Sequence, residues 1–121
     1  TSLSLGINFI GAEEAEVLAT CLQTNYTLTS LDLMRNHVSD DGAKALAKCL
    51  GNNRTLTSLN LGTNDIGDEG AVALATCLQN NHTLTTLYLY SNNIGDEGAD
   101  CIIASLAQKE RRHGWTRRSK G

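Results

Sequence analysis

One interval governs this chain. Asn8, Asn36, Asn64 and Asn92 stand 28 residues apart, and the same step links Leu3, Leu31, Leu59 and Leu87. It also links Leu5, Leu33, Leu61 and Leu89, and then Ile10, Val38, Ile66 and Ile94. Later in each unit Leu18, Leu46, Leu74 and Ile102 match, as do Leu22, Leu50, Leu78 and Leu106. No insertion breaks the period, and a fixed spacing in this range specifies an array of one repeated supersecondary unit.

Each unit divides in two. Its opening, as in Leu56-Thr57-Ser58-Leu59-Asn60-Leu61, alternates apolar and polar residues around Leu59 and Leu61, which predicts a short strand. Its second half places Ala71, Leu74, Ala75 and Leu78 on one helical face. The Gly67-Asp68-Glu69-Gly70 run before it supplies an Asp to cap that helix and acidic charge for its first turn. Asn80 and Asn81 suit the turn into the next strand. Strand, loop, helix and turn recur in one order, so the strands stack parallel and the chain is an α/β solenoid of four repeats. The repeats occupy residues 1–27, 28–55, 56–83 and 84–108. The Asn ladder fits the bend after each strand, because a buried amide can both donate to and accept from backbone groups that have lost their sheet partners.

The period holds to Leu106, and residues 109–121 have no strand pattern. Charge divides at the same place. Residues 1–108 hold 12 acidic and 4 basic side chains (−8), and residues 109–121 hold 1 acidic and 6 basic (+5), together the net −3 of the chain. The tail reads as a frayed basic end, with Trp115 covering the last repeat as one role for it. Trp115 is its only aromatic residue, which argues against specific nucleic-acid recognition. At the other end Thr1 is in phase with Thr29, Thr57 and Thr85, so the chain begins inside a repeat, as a fragment of a longer array would. An uncapped first strand beside Leu3 and Leu5 would then invite self-association.

Composition narrows the class. At 40% hydrophobic residues the chain is not a disordered segment, and no apolar run reaches the about 20 residues of a membrane span. Residues 1–20 lack a signal-peptide pattern, so a cytoplasmic protein is expected. Cys21, Cys49 and Cys77 share one phase, but neighbouring helices pack about 8–10 Å apart and a disulfide needs Cα atoms within about 7 Å. They read as reduced small hydrophobes. Cys101 is off that ladder, and His37, His82 and His113 fall in three phases, so no metal site is expected. Asn25-Tyr26-Thr27, Asn53-Arg54-Thr55 and Asn81-His82-Thr83 match the glycosylation sequon at a position where turn chemistry itself selects Asn and Thr. The Asn64–Gly70 stretch lacks the third-position oxygen ligand of a calcium loop, where Ile66 stands. No nucleophile–base set, phosphate-binding glycine loop or cofactor motif appears, and the chain is not expected to be an enzyme.

What varies between units is the outward face of the strands. One column there is Ser4, Asp32, Asn60 and Tyr88, and the next is Gly6, Met34, Gly62 and Tyr90. Beyond lie Ile7, Arg35, Thr63 and Ser91. Aromatic residues and Arg are enriched among interface anchors. Asp32, Met34, Arg35, Asn60, Thr63, Tyr88 and Tyr90 are therefore the candidate binding residues, and Asn8, Asn36, Asn64 and Asn92 the structural ladder.

The motif LxxLxLxxN runs in full from Leu28 to Asn36 and again from Leu56 and Leu84. The chain thereby resembles leucine-rich repeat proteins of the ribonuclease-inhibitor class over residues 1–108. The resemblance implies a right-handed β-α superhelix whose strands line a concave face. The wording of the units, with IGDEGA at 66–71 and again at 94–99, is most similar to the C-terminal arrays of CARD-containing NOD-like receptors. That implies a protein-binding or ligand-sensing module in innate immunity. Ran-type GTPase activators and ribonuclease inhibitor resemble the same coil, which keeps an enzyme regulator open, as does a consensus-like scaffold. All these readings imply a protein partner and no cofactor.

Overall fold

The computed structural model describes the backbone of residues 1–113 and the side chains of residues 1–107. Four strand–helix units follow one another. The strands are β1 (Ser2–Ser4), β2 (Ser30–Asp32), β3 (Ser58–Asn60) and β4 (Thr86–Tyr88). The helices are α1 (Ala12–Thr24), α2 (Ser39–Leu50), α3 (Asp68–Asn80) and α4 (Asp96–His113). The strands form one parallel sheet in the order β1-β2-β3-β4. Leu3 pairs with Leu31, Leu31 with Leu59 and Leu59 with Leu87, so the sheet register is the sequence period. Residues 109–113 continue α4, whereas residues 114–121, with Trp115 and the rest of the basic tail, lie outside the described residues.

The core lies between sheet and helices. Alternation points Leu31, Leu33, Leu59, Leu61, Leu87 and Leu89 inward, where they meet Leu46, Leu50, Leu74, Leu78, Ile102 and Leu106 from the helices. A small residue sits wherever a helix crosses its predecessor. A Cβ on Gly42 would fall 3.0 Å from that of Ala15, one on Gly70 3.1 Å from that of Ala43, and one on Gly98 2.9 Å from that of Ala71. These glycines are needed for close approach, and all three are buried.

Two rows of asparagine tie the units together, one at each end of the strands. On the side where the strands end, the Asn36 Oδ1 accepts the N–H groups of Asn8 (2.9 Å) and Ile10 (2.8 Å), while its Nδ2 donates to the carbonyls of Leu5 (2.9 Å) and Leu33 (3.0 Å). The Asn64 amide accepts from Val38 (3.2 Å) and donates to Leu33 (2.8 Å) and Gly62 (3.0 Å). Asn92 accepts from Asn64 and Ile66 and donates to Leu61. Each amide thus satisfies backbone of its own unit and of the one before. Asn8 is exposed, and its Nδ2 reaches the carbonyl of Gly6 in its own unit at 3.3 Å.

The second row is formed by the sequon asparagines. Asn53 accepts from Thr55 and Leu56 and donates to Leu22 O (2.9 Å), a carbonyl near the end of α1. Asn81 accepts from Thr83 and Leu84 and donates to Leu50 O. Both are buried, so turn chemistry accounts for the Asn-x-Thr pattern there, and neither amide nitrogen is open to a glycosyl transferase in the folded chain. Asn25 makes the same turn bonds but is exposed.

Helix capping departs from the expectation. Asp68 is the first residue of α3, not its cap, and Gly67 holds the cap position. The carboxylate serves the next unit instead. Asp68 Oδ1 accepts the N–H groups of Gly95 (2.7 Å) and Gly98 (3.1 Å), and Asp40 Oδ1 those of Gly67 (2.7 Å) and Gly70 (2.9 Å). The N-termini of α3 and α4, with their unsatisfied donors and partial positive charge, are therefore each capped by the acid of the preceding unit.

Candidate functional site

The face of the sheet turned away from the helices carries the variable columns. Asp32, Asn60 and Tyr88 are half-buried there, as are Met34 and Tyr90 one step on. The first column is anchored by its own backbone. Asp32 Oδ1 accepts the Met34 N–H (3.0 Å) and Asn60 Oδ1 the Gly62 N–H (2.9 Å), both turns that fix the acceptor side chain.

The second column alternates glycine with a long side chain, and the long ones lie down. A Cβ on Gly6 would come within 3.2 Å of the Met34 Cγ, and a Cβ on Gly62 would collide with the Tyr90 ring carbons. Tyr90 therefore lies flat across the backbone of unit 3. Its hydroxyl meets the Asn60 Nδ2 at 3.4 Å and donates weakly to the Met34 sulfur at 3.8 Å, reaching back into unit 2. Tyr88 stands edge-on to Tyr90, with ring centres 6.4 Å apart and planes at 82°, a favoured aromatic geometry. Met34, Asn60, Tyr88 and Tyr90 thus form one linked platform spanning three units.

Arg35 and Thr63 do not join it. They are exposed in left-handed backbone (φ 57° for each), at the position where every unit turns out of its strand. Ile7 and Ser91 share that conformation (φ 60° and 53°). This backbone is costly for residues other than Gly, and the inter-unit bonds around it fix it: Arg35 N–H donates to Gly62 O and Thr63 N–H to Tyr90 O. The platform offers aromatic and thioether surface with a few placed polar atoms, which suits recognition by contact. Among the described residues, no three His, Cys, Asp or Glu side chains are grouped to hold a metal ion, and no helix is long and apolar enough to cross a membrane.

The cysteine row is free thiol throughout. Burial pushes the Cys49 thiol up to about 12, helped by Cys77 beside it, so it is protonated and inert at neutral pH. Sequence reasoning missed the role of Gly62, the inter-unit work of Asp40 and Asp68, and the second row of asparagines. The alternation Gly6, Met34, Gly62, Tyr90 was the visible signal for the first.

A parallel sheet in period with buried leucines and an asparagine row defines a leucine-rich repeat protein. The match of the TMOD/LMOD leucine-rich domain model to residues 4–110 then shows that the chain belongs to that family. No curated protein sequence matches it. Among solved structures it is similar to one described as "Leiomodin-1 Actin-Binding Site 2 (ABS2)". The TM-score is 0.72 at 20% identity, covering 93% of this chain and 84% of that one. At that identity the likeness is one of fold. The matching model gives no support to the NOD-like receptor type that the wording of the units suggested.

Proposed function

We propose that this chain is a non-enzymatic protein-binding domain that presents the Met34, Asn60, Tyr88 and Tyr90 platform to its partner, and that actin is the partner to test first. The platform carries the reading: four half-buried side chains, held by one another, on a face where the units differ. Pre-positioned aromatic residues lose little freedom on binding and are typical anchors. The units are read as successive turns of a right-handed four-repeat coil with this face on its concave side, bordered by Asp32, Arg35 and Thr63. Actin enters because the similar solved structure is described as an actin-binding site and the family model groups this chain with it. A ligand-sensing module of a NOD-like-receptor type is a second reading, resting on the wording of the units alone.

The test is binding of labelled monomeric actin, followed by anisotropy, and co-sedimentation with actin filaments. Saturable binding to either form is expected, at a dissociation constant below about 100 μM. Failure of both forms to bind in that range would remove actin and leave the platform to be assayed with other proteins.

A further inference from the structure

The Tyr90 ring uses one of its two faces to rest on the sheet. A Cβ on Gly62 would run into its Cε1, Cζ and Cε2 atoms alike, so the ring lies on the Gly62 backbone by that face. Its hydroxyl points back toward unit 2, meeting the Asn60 Nδ2 at 3.4 Å and the Met34 sulfur at 3.8 Å. The opposite face is turned away from the sheet, and a ring face is the negative part of the aromatic quadrupole.

Asp32 neighbours both groups that the Tyr90 hydroxyl meets. It pairs in register with Asn60 across β2 and β3, and its Oδ1 accepts the Met34 N–H at 3.0 Å. The other carboxylate oxygen, Oδ2, has no hydrogen bond or ion pair among the described residues, although Asp32 is half-buried. The cations of the array are engaged or placed elsewhere. Lys44 and Lys48 are on α2, Arg54 donates to the Gly51 and Asn53 carbonyls, and Arg35 stands in the exposed turn after β2. Residues 1–108 carry 12 acidic and 4 basic side chains, so the surrounding field also favours a cation here.

We propose that the open face of Tyr90 and the Asp32 carboxylate together seat an arginine side chain of the protein partner. The inference rests on the platform reading above and names the partner group that the platform selects. A guanidinium is planar and weakly hydrated, so it stacks on the ring while its N–H groups donate to Asp32 Oδ2. Tyr88, in the column of Asp32 two units on, stands at 82° to Tyr90 and borders the other end of the seat. Lysine has the charge without the plane, and citrulline has the plane without the charge.

The test titrates the isotope-labelled full chain with three seven-residue peptides, Gly-Ser-Leu-X-Leu-Ser-Gly, where X is arginine, lysine or citrulline, and reads amide shifts by NMR. The arginine peptide should shift Met34, Gly62 and Tyr90. It should bind about fivefold tighter than the lysine peptide and about tenfold tighter than the citrulline one, with the margin over citrulline shrinking as salt rises. Asp32→Asn, which keeps an acceptor for the Met34 N–H, should bring the arginine peptide to within about twofold of citrulline and weaken actin binding by at least about fivefold. Phe9→Asp, at an 81% exposed residue that stacks on His37 and is not part of the platform, should change neither. Equal affinity of the arginine and citrulline peptides, no shifts at about 5 mM peptide, or shifts centred away from those three residues would overturn the proposal. Actin binding that survives Asp32→Asn undiminished would also overturn it while leaving the platform reading in place. Arginine selectivity in a chain that binds no actin would support the seat and remove actin alone.

Discussion

Unit 1 and unit 3 carry leucine and asparagine at the same places, yet the two are held differently. Leu59 is fully buried and Leu3 is 38% exposed. The Asn64 side chain bridges two units while Asn8 reaches its own backbone. Unit 3 takes its helix cap from Asp40 of unit 2, and unit 1 makes its own from Glu14. A residue's worth here is set by the neighbour that its unit faces rather than by its place in the motif, as expected where each unit contacts only those beside it.

The sharpest way to break that comparison is to treat the two asparagines alike. Asn64→Leu should lower the free energy of urea unfolding by about 2–3 kcal/mol, because it orphans the buried backbone groups of Leu33, Gly62 and Val38. Asn8→Leu should change it by less than about 0.5 kcal/mol. Equal losses would contradict the ladder. Next comes the helix crossing. Gly70→Ala should cost about 1–3 kcal/mol, since the new methyl meets Asp40, Ile66 and Ala43, whereas Glu14→Gly should cost under about 1 kcal/mol for its cap. Asp68→Ala should remove about 1 kcal/mol and loosen the start of α4 rather than of α3, which amide exchange near Gly95 and Gly98 would report. No loss of protection there would return Asp68 to its own helix.

The smallest effect concerns the thiols. Exposed Cys21 should react with a thiol reagent at pH 8 while buried Cys49 stays inert in the native state. The pH dependence follows in sign. Below pH 9 both folded and unfolded chains hold the Cys49 proton. Between pH 9 and about 12 the unfolded chain releases it first, so stability falls as pH rises. Equal labelling of the two cysteines would contradict the burial.

The order of elements and the sheet register were legible because one period writes them four times. Leu31, Leu59 and Leu87 pair where that period puts them. Relations between units were harder to read. Asp68 sits where a helix-capping Asp would sit, and nothing local reveals that its carboxylate points to the following unit. The sequon asparagines read as turn residues because half of their bonds are local, to Thr55 and Leu56 for Asn53, while the bond to Leu22 spans 31 residues. The candidate columns were legible as positions, since period two fixes which residues face out. That Tyr90 lies over Gly62 and contacts Met34 depends on side-chain direction, which the pattern does not encode.

If the strand-face platform binds the protein partner, its two tyrosines carry the affinity. The direct measurement is the affinity for actin of three proteins: the wild type, the Tyr88→Ala/Tyr90→Ala variant and Phe9→Asp. Loss of two anchors should weaken binding by about 30-fold or more at an unchanged helical circular dichroism signal, and Phe9→Asp should leave it intact. Wild-type affinity in the double variant, with the loss falling on Phe9→Asp instead, would contradict it.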